Sequence, residues 1–101
     1  MEFMEHLQTS FAQNNDVSWK ILEEKCILLH LTSGNYYTLN KVGRFLWESL
    51  DGEKKLEDIC EEIINHYHID TETVKNDSID IIQDLLKEGL VEESKISTKA
   101  S

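Results

Sequence analysis

Between Val17 and Leu90 the spacing of apolar residues changes once, at Asn40. Before Asn40 the segments are short and strand-like. Val17, Trp19 and Ile21 alternate with polar residues, Cys26-Ile27-Leu28-Leu29-His30-Leu31 is almost wholly apolar, and Tyr36-Tyr37-Thr38-Leu39 is rich in β-favouring side chains. After Asn40 the apolar residues recur every three or four positions, the period of a helix with one buried face. A chain that reads strand, strand, strand, helix, helix, helix folds as α+β, with a small antiparallel sheet and helices packed on it.

The punctuation supports this division. Glu23-Glu24-Lys25 separates the first two strands, and Thr32-Ser33-Gly34-Asn35 is turn chemistry that closes a hairpin between the second and third. The second strand is expected to be covered on both faces. Asn40 stands at an N-cap, and Val42, Phe45, Leu46 and Leu50 form the stripe of a first helix over 41–50, stopped by Asp51-Gly52. A second helix carries Leu56, Ile59, Cys60, Ile63, Ile64 and Tyr67 and ends at His68-Ile69-Asp70. A third, capped by Asp70 or Thr71, has Val74, Ser78, Ile81, Ile82, Leu85 and Leu86 inward and closes at Gly89, before a short extended Leu90-Val91. The expected fold class is α+β of winged helix-turn-helix type, a three-stranded antiparallel sheet followed by three helices.

The expected domains are a flexible N-terminal arm over 1–16, a folded domain over 17–92 and a disordered polar tail over 93–101. The arm carries Phe3, Leu7 and Phe11 at helical spacing but runs into Gln13-Asn14-Asn15-Asp16. The charged run from Asp51 to Glu62 is expected to be a solvated loop and helix face.

Composition narrows the function. A chain of 101 residues supports one core. A formal charge of −10 disfavours nucleic acid, and the third helix, the one that would enter a DNA groove, has five acids against two bases over 71–89. No run is long and apolar enough for a membrane span and the start is no signal peptide, so a cytoplasmic protein is expected. Cys26 and Cys60 stand alone, and His66 and His68 lack the i,i+4 spacing of a helical zinc pair. The four glycines are isolated, so there is no phosphate loop. No enzyme, cofactor or metal is expected. What remains is the last strand of the meander, Asn35 to Leu39, which carries no proline or charge to block pairing with an extended peptide.

The run from Leu28 to Trp47 closely resembles the PqqD family, on Gly34, Tyr37, Leu39, Asn40, Val42, Gly43 and Trp47. The pattern continues with Leu56 and Ile59, Asp77, and a closing Leu86, Gly89, Leu90 and Val91. The resemblance implies a non-catalytic peptide chaperone. Such domains bind the leader of a ribosomally made precursor peptide and present it to a modifying enzyme in trans, either a lasso-peptide leader peptidase and cyclase or a radical S-adenosylmethionine enzyme. In similar proteins the leader adds beside the third strand and packs on the third helix. Carried over, this implies a site of Asn35, Tyr36, Tyr37, Thr38 and Leu39 opposed by Val74, Lys75, Asp77, Ser78, Ile81 and Leu85, with Asp77 a polar contact or brace. Which strand face lines the groove is open, since a shift of one residue exchanges the faces. The alternatives are the accessory protein of pyrroloquinoline quinone synthesis proper, or a constitutive non-catalytic subunit of a modifying enzyme.

Overall fold

The computed structural model describes residues 2–94, with side chains from Glu5 onward. In chain order it has α1 (Glu2–Leu7), β1 (Ser10–Gln13), β2 (Val17–Leu22), β3 (Lys25–His30) and β4 (Tyr36–Leu39). These are followed by α2 (Lys41–Ser49), β5 (Asp51–Lys55), α3 (Leu56–Tyr67), α4 (Thr71–Lys87) and β6 (Val91–Glu93). The expected meander is there: β2, β3 and β4 form one antiparallel sheet in that order, and α2, α3 and α4 follow.

Side chains opposite one another in an antiparallel ladder share a face. The register pairs Trp19 with Leu28, Ile21 with Cys26, Leu28 with Tyr37 and Cys26 with Leu39, so these residues point inward. Cys26 and Leu28 are wholly buried there, and Trp19 meets the buried Trp47 of α2 edge to face, with ring centroids 6.3 Å apart. The opposite face carries Leu29 paired with Tyr36 and Ile27 paired with Thr38. Leu29 and Tyr36 are exposed, which corrects the expectation that β3 is covered on both faces. The helices occupy one side of the sheet only.

The N-terminal segment also departs from expectation. Instead of a flexible arm, β1 is the central strand of a second antiparallel sheet, in the order β5-β1-β6. Leu7 and Phe11 belong to the core, Phe11 being 1% exposed, so the packed unit begins well before residue 17. A free arm would leave these two side chains exposed. The backbone polar groups of Ser10–Gln13 are satisfied by both neighbouring strands, and Asn14 bonds through its side chain to the Gly89 carbonyl at 2.8 Å. At the other end Glu93 belongs to β6 and not to a disordered tail; the rest of the expected tail, residues 95–101, and the side chain of Phe3 lie outside the described residues.

The charged stretch Asp51–Lys55 is likewise a strand and not a loop. Gly52 therefore does not cap α2, whose C-cap is Leu50 in extended conformation. It lies with φ +83° where the β1–β5 register shifts, and an added Cβ would sit 3.4 Å from that of Ala12. Asp51 stabilises this irregularity: its Oδ1 accepts from the Glu53 and Lys54 amides at 2.9 and 3.0 Å, and these bonds hold its carboxyl below the usual range.

The helix signals hold. Asn40 caps α2, its Oδ1 accepting from the Gly43 amide at 2.9 Å, and Asp70 caps α4 by accepting from Thr73 at 3.1 Å. His68, with φ +56°, closes α3. Gly43 has a further role, because a Cβ there would come within 3.0 Å of the Leu39 Cβ. Its absence lets α2 start directly behind β4. Among the described residues no helix is long and apolar enough to cross a membrane.

Candidate peptide-binding groove

Among the described residues β4 is the outer strand of its sheet, with β3 on one side and no strand on the other. The His30 amide donates to the Asn35 carbonyl at 2.9 Å. Hydrogen-bonded and non-bonded pairs alternate along an antiparallel ladder, so Tyr37 and Leu39 direct their backbone groups at β3. Tyr36 and Thr38 direct theirs at the open edge. A peptide laid beside β4 finds these donors and acceptors available, and none of the residues of β4 is charged.

The far wall is α4. On the helical period Asp77, Asp80, Ile81, Asp84 and Glu88 fall within one arc, and the structure turns that arc toward β4 and the start of α2. The Tyr37 hydroxyl donates to Asp84 Oδ2 at 2.8 Å. Burial, then the bond to Asp84, then the charges of Asp84 and Glu88 push the Tyr37 phenol up to about 12, so it remains a donor at any physiological pH. Beside this contact Asn40, Val42, Asp77, Asp80 and Ile81 line a concavity of about 270 Å³. It is apolar at Val42 and Ile81 and acidic at its rim.

This arrangement sorts the expected site residues. Tyr36 and Thr38 lie on the edge with side chains on the outer face, and Tyr37 points toward α4. Asn35 sits at the end of the hairpin, its amide donating to Ser33 Oγ at 3.2 Å. Asp77 and Ile81 line the concavity. Leu39, Val74, Ser78 and Leu85 are core residues at 3% exposure or less, so they support the groove from behind and do not wall it. Ser78 lies against the Cys60 thiol on α3. Lys75 is displaced altogether: it borders a different hollow, between α3 and α4, with Glu61, Ile64, Asn65 and Thr71.

Asn40, Val42, Asp80 and Asp84 were not among the expected residues, although the spacing of Asp77, Asp80 and Asp84 at i, i+3 and i+7 marks a single helix face. That acidity counts against phosphate backbones and equally defines one wall of this groove.

The described residues include no group of three or more His, Cys, Asp or Glu placed to hold a metal ion. Both thiols are buried and free. Burial, reinforced by Glu48, raises Cys26 to about 11, and burial also raises Cys60, so neither is a thiolate at neutral pH.

Comparison with known proteins places the fold. The family model described as coenzyme PQQ synthesis protein D (PqqD) matches residues 25–91. Among solved structures, TbiB1 in complex with the TbiA(beta) leader peptide superposes with a TM-score of 0.71 at 31% identity, over 80% of this chain and 94% of that one. Lasso peptide synthetase B1 complexed with its leader peptide superposes with a TM-score of 0.71 at 18% identity, over 82% and 98% of the two chains, a likeness of fold. No curated protein sequence matches. The matched span takes in the hairpin, the open β4 edge and all of α4, and on it the chain belongs to the PqqD family.

Proposed function

We propose that this protein binds the leader segment of a ribosomally made precursor peptide as a strand added to the open edge of β4, and presents it to a maturation enzyme acting in trans. The observation that carries this reading is the pairing of an unblocked strand edge with an apolar and acidic wall on α4, joined by the Tyr37–Asp84 bond. Backbone pairing supplies affinity that tolerates sequence changes, and alternate side chains of the added strand meet Val42, Ile81 and the carboxylates, which select among peptides. The protein's part is recognition and not chemistry. Its acidic wall favours leaders with basic residues at inward positions.

The likeness to TbiB1, a protein solved with a leader peptide, supports leader binding; the pathway we infer is of lasso type, with a leader peptidase and a cyclase as the enzymes served. The test is an anisotropy titration against the labelled leader of a short open reading frame neighbouring the gene, with a scrambled leader as control. Submicromolar, sequence-dependent binding is expected. A folded protein that binds no such leader would instead act as a constitutive subunit of its enzyme.

A further inference from the structure

A second concavity, of about 280 Å³, opens on the other side of the first turn of α2 and is lined by Lys41, Arg44, Phe45, Glu48, His66 and Tyr67. Its chemistry is unlike that of the rest of the molecule. In a chain with twice as many acids as bases it gathers Lys41 and the one arginine, Arg44, against a single carboxylate. Glu48 meets Arg44 only through Nε at 3.4 Å, with both side chains more than a third exposed, a pairing too weak and solvated to occupy the guanidinium. Lys41 has no ion-pair partner among the described residues; its ammonium lies 5.8 Å from the centroid of the Tyr67 ring. The walls are aromatic. His66, Phe45 and Tyr67 pack in a triangle, with centroid distances of 5.3 Å (His66–Phe45), 4.6 Å (His66–Tyr67) and 6.0 Å (Phe45–Tyr67).

The position of this hollow identifies its occupant. Asn40 and Val42 line the groove beside β4, and Lys41, the residue between them, lines the basic hollow. A peptide leaving strand register past the Leu39 end of β4 therefore passes over Lys41. On its way it meets Asp77, Asp80 and Asp84, which repel its carboxylates, whereas the Lys41–Arg44 pair attracts one. We propose that this hollow seats an acidic residue of the bound leader, on the segment that runs beyond the Leu39 end of β4, and thereby fixes which way the leader lies in the groove. This rests on the leader-binding reading above. A carboxylate between the guanidinium fork and the ammonium, with an adjoining apolar side chain against Phe45 and Tyr67, satisfies the site.

Two experiments test it. The first follows amide shifts of the ¹⁵N-labelled protein on titration with acetyl-Phe-Glu-Glu-amide and, as control, acetyl-Phe-Gln-Gln-amide. Shifts centred on Lys41, Arg44, His66 and Tyr67 are expected with the glutamate peptide alone and are lost in a Lys41→Gln/Arg44→Gln variant; identical responses to the two peptides, or none, would overturn the proposal. The second extends the leader of the short open reading frame neighbouring the gene by Glu-Glu or Gln-Gln at either terminus. At one terminus only, the Glu-Glu form is expected to bind at least about threefold tighter, with the gain lost in Arg44→Gln while affinity for the parent leader is kept. Equal affinities at both termini, with the parent leader bound, would overturn the acidic seat alone. Failure of the parent leader to bind would remove the leader as occupant together with the reading beneath it, whereas the tripeptide arm reads the hollow independently.

Discussion

The Tyr37 hydroxyl reaches across from the last strand of the meander to Asp84 on α4, 47 residues away in sequence, and donates to it at 2.8 Å. This bond spans the groove, tying the strand that offers backbone pairing to the helix that offers side-chain selection. Tyr37→Phe removes the donor and keeps the ring. The expected cost is about 1 kcal/mol, below the usual range for a bond to a charged group because Asp84 is exposed. A double-mutant cycle with Asp84→Ala, which removes the acceptor, should show coupling of that order in urea unfolding, and additive losses would mean the bond contributes nothing.

The same bond has a pH signature. The Tyr37 phenol titrates near 12 in the folded protein against about 10 in an unfolded chain, so folding favours its neutral form. That contribution is complete below pH 10 and is lost as pH rises from about 10 through 12. Tyr37→Phe should therefore flatten the decline of stability over this window, and ultraviolet titration should lose one late-ionising phenol. An unchanged alkaline profile would contradict the assignment.

Groove residues and core residues should separate on substitution. Ile81→Glu places a carboxylate in a half-exposed wall already lined by Asp77 and Asp80, and should weaken leader binding by at least about tenfold with a modest loss of stability. Leu85→Ala empties a wholly buried position and should cost about 2–5 kcal/mol while leaving the lining of the groove chemically intact. Calorimetric melting beside anisotropy checks both. Global unfolding of the Ile81 variant would place that residue in the core.

Removal of residues 1–16 should unfold the protein or lower its melting temperature severely, because β5 and β6 lose the strand between them and the core loses Leu7 and Phe11. Phe11→Ala alone should cost about 3–5 kcal/mol by urea unfolding. A truncated chain that melts like the full one would restore the picture of a dispensable arm.

Where the fold was legible in sequence, local signals and tertiary packing coincide. Val17–Leu22 alternates because one face of β2 meets the helices, and Asn40 and Asp70 cap helices by bonds that span only three residues. What stayed hidden depends on partners distant in sequence. Asp-Gly-Glu-Lys-Lys has no strand propensity of its own and becomes β5 by pairing with β1, and Ser10–Gln13 becomes β1 only between β5 and β6. For the groove, the open edge of Asn35–Leu39 was visible as an uncharged last strand. The wall was only half visible: Val74, Ser78 and Leu85 share its apolar period but turn toward α3 and the core, and the polar face presents Asp80 to the concavity and Asp84 to Tyr37. Apolar periodicity finds what a helix buries and is silent about what its other face presents.

Strand addition at β4 is tested most directly by amide hydrogen exchange with and without a bound leader. Tyr36 and Thr38, whose amides face the open edge, should exchange freely in the unbound protein and become strongly protected in the complex, while Tyr37 and Leu39, bonded to β3, are protected in both. A leader that binds while the Tyr36 and Thr38 amides continue to exchange at their free rates would show that it docks elsewhere, and the account of the groove would be wrong.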